Sequence, residues 1–293
     1  MARIVAVHGI YNTFTGPQQM AAAWGPALLD GIHLAGGDVS LVASDIAYVA
    51  YGDLYRPPGR ALNDASVPWI DDADLDEYEI ELLEALWNAA AQDDPGVPPP
   101  EARTLGGVSR RAQAALAALA CSRRLAMIGE RMLKFWLRQV RLYFTDEHIR
   151  AGIQARFAAQ ITGETQVVVA HSLGSVVAYE ALCAHPEWGV TTLVTIGSPL
   201  GIRNLIFDRL RPPPLSGHGG PPTGVWPDGI RHWVNIADAD DVVALVKTLR
   251  SRFGDRVVDI VVDNGAGVHN VVRYLAAAET GAAIAGGLSD PPV

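Results

Sequence analysis

One serine of this chain lies in a sequence pattern that suits a nucleophile. The apolar run Val167-Val168-Val169 leads into Ala170-His171-Ser172-Leu173-Gly174, and residues that favour a helix follow. Ser172 therefore falls on a bend between a predicted strand and a predicted helix, and its neighbours two before and two after are small, as such a strained turn requires. The free N–H groups at the start of the helix would stabilise an anion formed beside the hydroxyl. The pattern predicts a nucleophilic serine.

Two backbone N–H groups are candidates for the oxyanion hole that such a serine needs. Leu173 directly follows the serine at the start of the predicted helix, so its N–H is the first candidate. A second donor should come from the loop after an early strand, where His8-Gly9-Ile10 follows an apolar run and Gly9 lets the backbone turn inward. We expect the Ile10 N–H to be that donor. The rings of His8 and His171 are expected to shape the site through hydrogen bonds.

These two motifs give the chain a resemblance to a known family. Through Val-His-Gly-Ile at 7–10 and Ala-His-Ser-Leu-Gly at 170–174, the sequence resembles the α/β-hydrolase family of serine esterases and lipases. Ala170 stands where the commonest pattern has glycine, a variant that lipase-like members share, and a long insertion separates the two motifs. The resemblance implies an α/β-hydrolase fold, a mostly parallel central sheet with helices on both faces, and a Ser-His-Asp triad that uses no cofactor and no metal.

The resemblance also directs attention to a base and an acid, because the family orders its triad as nucleophile, acid and histidine. Of the eight histidines, His269 alone lies beyond the strand predicted at 257–262, so it is the expected general base. Three carboxylates follow the strand predicted at 233–236. Asp240 is preferred because it begins an Asp-x-x-Val pattern that many members share; Asp241 is a rival and Asp238 a third alternative.

Short β-branched runs and helix-like stretches alternate along much of the chain, which predicts an α/β fold. Five buried strands are predicted at 4–7, 167–170, 193–196, 233–236 and 257–262, with a sixth at 39–43. Helices are predicted at 18–29, 175–183, 242–250 and 271–278. Motifs and elements together divide the chain into a first part of the core at 1–53, a mostly helical insertion or cap at 54–160, and a second part of the core at 161–293 that carries the serine, acid and histidine loops.

The insertion has segregated charges. Residues 61–102 contain twelve Asp or Glu and no Lys or Arg, whereas residues 103–141 contain nine basic residues and a single acid, Glu130. We therefore expect the two halves to face each other. An amphipathic helix at about 128–143 should bury its apolar face and direct its basic face toward the acidic segment 71–84. Contact of that basic face with an anionic membrane surface is the alternative.

Composition excludes several classes of protein. The chain has 293 residues, 49% hydrophobic and 19% charged, which is typical of a folded domain. A net charge of −9 argues against nucleic-acid binding, and the two cysteines are too few for a disulfide framework. No apolar run reaches the roughly 20 residues of a transmembrane helix, and the N-terminal run is too short for a secretory signal, so we expect a cytoplasmic location. The oligomeric state stays open.

The sequence therefore predicts a serine hydrolase that cleaves carboxylic esters, of lipase or esterase type, acting on a small ester or lipid-like substrate. The same triad would also serve a thioesterase, an amidase or an acyltransferase. A catalytically silent interaction module, with the insertion as its partner surface, is the alternative from another class of function.

Overall fold

A six-stranded sheet forms the centre of the molecule. The computed structural model describes residues 1–10, 12–37, 40–56, 75–100, 108–122, 129–216 and 220–289. Every neighbouring pair of strands is parallel, and the order across the sheet is β2-β1-β3-β4-β5-β6. The strands are β1 (Ile4–Val7), β2 (Ile46–Val49), β3 (Val167–His171), β4 (Thr192–Ile196), β5 (His232–Asp238) and β6 (Val257–Val262).

The five strands predicted first are confirmed, and the sixth was placed wrongly. The second strand lies at Ile46–Val49, and it pairs with β1 from Ile4 opposite Ile46 to Val7 opposite Val49. Residues 40–43 of the predicted run are not in a strand, and residue 39 lies outside the described residues. A 3₁₀ turn over Ala43–Asp45 precedes it, because Asp45 accepts a hydrogen bond from the Val42 N–H at 2.9 Å. This local side-chain bond closes the turn and delays the strand.

Helices lie between the strands. They are α1 (Pro17–Leu34), α2 (Glu77–Asp93), α3 (Val108–Leu119), α4 (Glu130–Thr145), α5 (Glu147–Ala158), α6 (Leu173–Ala184), α7 (Arg250–Phe253), α8 (Val271–Ala276) and α9 (Ala278–Ser289). The helix predicted at 242–250 is wrong, since only its last residue is helical. Lys247 Nζ donates at 2.5 Å to the carbonyl of Asp241, which a helix would have used for the N–H of Leu245.

The sheet separates two hydrophobic cores, as alternation along each strand requires. In β1, Ile4 and Ala6 pack on one face with residues of α1, α8 and α9, whereas Val5 and Val7 pack on the other with the insertion and α6. Both faces of the sheet are thus covered by helices. Within the described ranges, no helix is at once long enough and apolar enough to cross a membrane.

The described part of the insertion is helical, and its acidic and basic halves meet as predicted. Arg111 of α3 binds Glu84 of α2 through Nε and Nη2 at 2.8 and 2.6 Å. Glu79 is fully buried and accepts from Arg138 Nε at 3.0 Å and Arg141 Nε at 2.8 Å, both on α4. These pairs use two basic residues of α4 inside the molecule, which favours the intramolecular interpretation of its basic face.

Candidate active site

Ser172 lies where the strand order reverses, at the carboxyl ends of β1 and β3. Its backbone has φ 55° and ψ −130°, a conformation that L-residues rarely adopt. Close packing of the backbone around Ser172 explains why the residues beside it are small. A Cβ added at Gly9 would lie 2.9 Å from Ser172 Oγ, and one added at Gly174 would lie 2.8 Å from the Val7 carbonyl oxygen. The sharp turn is therefore pressed against the loop after β1.

A chain of hydroxyl groups holds this turn in place. The Ser172 carbonyl oxygen accepts from the N–H of Ser175 at 2.9 Å and from its hydroxyl at 2.6 Å. Ser175 Oγ in turn lies 2.7 Å from Ser198 Oγ, in the loop after β4. Both serines are buried, so the network is shielded from water. It fixes the first turn of α6 while leaving the hydroxyl of Ser172 itself available.

His269 and Asp241 form a hydrogen-bonded pair. His269 lies between β6 and α8, and its Nδ1 is 2.7 Å from Asp241 Oδ2. The other oxygen of the same carboxylate accepts from the Val243 N–H at 2.9 Å. Burial opposes ionisation of Asp241, but the charge and hydrogen bond of His269 and further donors outweigh it and lower its pKa to about 2. The carboxylate is therefore ionised at neutral pH, so Nδ1 carries the proton and Nε2 is the basic nitrogen.

The structure corrects the preference for Asp240 as the partner of His269. Asp240 is exposed, and its N–H donates to Asp238 Oδ1 at 2.8 Å in the turn after β5. Asp238 is buried, but its carboxylate binds this N–H and that of Asn264. Asp238 thus ties the loop after β5 to the loop that carries the histidine, and the side chain that turns inward is that of Asp241.

Two further residues complete the surroundings of Asp241, and the sequence analysis assigned them no such role. The Tyr274 hydroxyl donates to Asp241 Oδ2 at 2.7 Å and accepts from the Asp238 N–H at 2.7 Å. Gly197 has φ 56°, and a Cβ there would lie 2.9 Å from Asp241 Oδ2 and 3.2 Å from His269 Cε1. For Gly197, the available signal was a Gly-Ser-Pro run directly after a predicted strand. For Tyr274, the available signal was an aromatic residue with a polar tip in the helix after His269.

The two motif histidines contact the site in different ways. His8 Nδ1 lies 2.5 Å from the Gly9 carbonyl oxygen, and its Nε2 accepts from the Tyr51 N–H at 3.0 Å. His171 makes no side-chain hydrogen bond to the described residues; its ring lies against that of His269 with centroids 4.6 Å apart. The prediction that both rings act through hydrogen bonds is thus confirmed for His8, whereas His171 meets the site mainly through the contact of its ring with His269.

His8 also sets the direction of the expected second oxyanion donor. The Gly9 carbonyl accepts from His8 Nδ1 and, at 3.4 Å, from Asn12 Nδ2, which donates at 2.9 Å to the Ile10 carbonyl as well. Because C=O and N–H point in opposite directions across a trans peptide, holding the Gly9 oxygen fixes where the Ile10 N–H points. Leu173 is the first residue of α6, where backbone N–H groups have no partner within the helix.

Two polar atoms at the centre of this arrangement lack hydrogen-bond partners among the described residues. They are Ser172 Oγ and His269 Nε2, and both are buried. A buried hydroxyl and a buried basic nitrogen are costly to leave unpaired, so such atoms call for a functional explanation. A basic nitrogen that an ionised carboxylate orients can remove the proton of a serine hydroxyl once the two come within hydrogen-bond distance.

Comparisons with known proteins give no independent assignment. No model of a known protein family matches the chain, and no curated protein is found to be significantly similar to it.

Proposed function

We propose that this protein is a serine hydrolase of carboxylic esters, with Ser172 as nucleophile, His269 as general base and Asp241 as the acid that orients it. The observation that carries the proposal is the Asp241–His269 hydrogen bond of 2.7 Å, combined with a buried, unpaired Nε2 on the same ring and a buried hydroxyl on the strained turn at Ser172. The six-stranded parallel sheet and the helical insertion are consistent with an α/β-hydrolase fold.

In the first half of the reaction, Ser172 Oγ attacks the ester carbonyl carbon while His269 Nε2 takes the hydroxyl proton. The carbonyl oxygen becomes an oxyanion, which the N–H groups of Leu173 and Ile10 stabilise; one such donor is typically worth about 2.7–4 kcal/mol in the transition state. As the tetrahedral intermediate collapses, the proton passes from His269 to the leaving alcohol. Water then attacks the acyl-enzyme by the same route and frees the acid.

Asp241 has two roles in this scheme. Its carboxylate holds the tautomer with the proton on Nδ1 and stabilises the imidazolium that forms when Nε2 takes the second proton. Tyr274 and the Val243 N–H hold the carboxylate in turn, so its position does not depend on the histidine alone. We expect the proton between Nδ1 of His269 and the Asp241 carboxylate to stay on Nδ1, because the pKa of Asp241 is lowered to about 2.

Labelling with a fluorophosphonate probe tests the proposal. The wild type should be labelled, Ser172→Ala should not, and His269→Ala should be labelled far more slowly. Ser251→Ala is the matched control, because it removes an exposed serine hydroxyl of α7, which donates to the Thr248 carbonyl at 2.9 Å. A panel of p-nitrophenyl esters of increasing chain length then distinguishes a short-chain esterase from a lipase.

Absence of labelling in folded wild-type protein would refute the hydrolase and favour the interaction module. Labelling without ester hydrolysis would support an activated serine but not an ester substrate. Thioester and amide hydrolysis and acyl transfer would then be assayed.

A further inference from the structure

A cavity of about 540 Å³ lies between α2 of the insertion and the loops after β4 and β5. This volume is in the usual range for small-molecule sites. Half of its lining is apolar, and the polar half consists of two arginines and three amide side chains, with no Asp or Glu among the described lining residues. We call it the arginine pocket; its polar residues are Asn88, Gln92, Arg203, Asn204 and Arg252.

The charge of this pocket is opposite to that of the chain as a whole, which is −9. Burial, followed by the nearby positive charge of Arg203, lowers the pKa of Arg252, and the negative charge of Asp208 offsets part of this effect. Arg252 Nε donates to the Gly201 carbonyl at 3.2 Å, and its guanidinium lies 5.9 Å from the centre of the Phe207 ring. Two arginines that line one cavity together with three amide side chains suit an anion with several acceptor oxygens.

The loop that carries Arg203 and Asn204 is held in place at the pocket. Asn204 has φ 60°, its N–H donates to Asp208 Oδ2 at 2.6 Å, and its carbonyl accepts from Arg209 Nε at 3.0 Å. Asp208 also binds Arg203 Nη2 at 3.4 Å, but Asp208 does not line the pocket. The arginine is thus tethered on one side, and the negative charge that tethers it lies outside the cavity.

Two loops connect the pocket with the candidate active site. The loop after β4 begins with Gly197, which packs on Asp241 and His269, and continues to Ile202 in the pocket wall. The loop after β5 contains Asp241 and continues to Val246, which also lines the pocket. The two loops touch, since a Cβ added at Gly201 would lie 2.6 Å from Val246 Cγ1.

We propose that the arginine pocket binds an anionic group of the ester substrate, a carboxylate or a phosphate joined to the reacting ester by an apolar segment. Arg252 and Arg203 would bind the anion, and the apolar half of the lining would contact the segment. This inference rests on the proposed function, since it names the class of substrate that the Ser172 site would take.

Two esters of equal length test the proposal. Mono-p-nitrophenyl glutarate carries a free carboxylate and p-nitrophenyl valerate is neutral. In Arg252→Gln we expect kcat/KM for the glutarate to fall about tenfold or more, and kcat/KM for the valerate to change less than about twofold. Arg252→Lys keeps the charge and should recover part of the loss. Arg256→Gln is the matched control, because Arg256 lies over Trp226 and does not line the pocket. Equal losses for both esters in Arg252→Gln, or no loss for either, would overturn the proposal.

A binding measurement separates this proposal from the hydrolase assignment. Glutarate and inorganic phosphate are titrated calorimetrically into Ser172→Ala and into the double variant Ser172→Ala, Arg252→Gln. Binding that is lost in the double variant supports the pocket even if no ester is hydrolysed, and the two anions show whether carboxylate or phosphate is preferred. If neither anion binds Ser172→Ala, the pocket assignment is wrong, whatever the fluorophosphonate result.

Discussion

Acidification should destabilise this protein, and the buried ring of His8 should account for a defined part of the loss. His8 is fully buried, and its Nε2 accepts the Tyr51 N–H while the ring stacks on Tyr51 at 4.0 Å. A proton on Nε2 would point at that N–H and break the hydrogen bond. Burial is the largest influence on His8 and lowers its pKa from 6.5 to about 4.

The sign and size of the effect follow from linkage. Between pH 6.5 and 4 the unfolded chain holds a proton on His8 that the folded chain does not, so the free energy of unfolding falls as the pH falls. The stabilisation that neutral His8 provides is fully present above the pKa of His8 in the unfolded chain. It is lost progressively as the pH falls to the pKa of His8 in the folded chain. Between pH 7.5 and 4.5 a shift of this size corresponds to a loss of about 2.5 kcal/mol.

Urea unfolding at pH 7.5 and pH 4.5 measures this loss. His8→Asn removes the titrating group and keeps an amide nitrogen that can take the place of Nδ1 as donor to the Gly9 carbonyl. We expect the wild type to lose about 2.5 kcal/mol more than His8→Asn over this pH interval. His33→Asn is the matched control, because His33 is exposed on α1, and it should lose as much as the wild type.

Buried groups other than His8 also titrate, but their contributions cancel when wild type and variant are compared at the same two pH values. If wild type and His8→Asn lose the same stability on acidification, the neutral, hydrogen-bonded His8 is the wrong description. The expected role of this ring in fixing the Ile10 N–H would then lose its support as well.

Three further predictions concern the site directly. Asp241→Asn should lower kcat for ester hydrolysis about 10³- to 10⁴-fold while Asp240→Asn stays within about twofold of wild type; the reverse ranking would restore Asp240 as the acid. Tyr274→Phe removes a buried hydroxyl bound to a carboxylate, so the free energy of urea unfolding should fall by about 1.5–3 kcal/mol, and an unchanged value would contradict the hydrogen bonds described. Gly9→Ala places a methyl group 2.9 Å from Ser172 Oγ and should abolish fluorophosphonate labelling. Gly163→Ala, with open space around its Cβ, should be labelled normally. Normal labelling of both variants would contradict the close packing of the loop after β1.

Much of the fold was predictable because its signals are local. A buried parallel strand reads as a short β-branched run, and five of the six strands were found in this way. The turn at Ser172 was predictable for a related reason: its demand for small neighbours is met within a few residues of sequence. The second strand was missed because the run at 39–43 looks similar, and the side chain of Asp45 decides where the strand begins.

The acid and its supports were harder to predict because they depend on contacts across loops. Three aspartates lie within four positions at the end of β5, namely Asp238, Asp240 and Asp241, and their side chains are chemically identical. Only the path of the turn after β5 decides which carboxylate faces His269. A sequence pattern favoured Asp240, but the structure turns Asp241 inward, where Tyr274 from α8 meets it. That contact joins residues 33 positions apart, and no local pattern encodes it.

The order of the strands has a consequence for how the protein becomes active during synthesis. Ile4 of β1 pairs with Val167 of β3, and His269 follows β6, the last strand of the sheet. Ser172 therefore leaves the ribosome about a hundred residues before His269, in a chain whose central strands have only just become able to pair. Under the proposed chemistry a nascent or truncated chain that lacks β6 is inert toward esters, even with its serine turn complete. Labelling of Ser172 would then report the completion of the last strand, which makes this serine a built-in marker of finished folding.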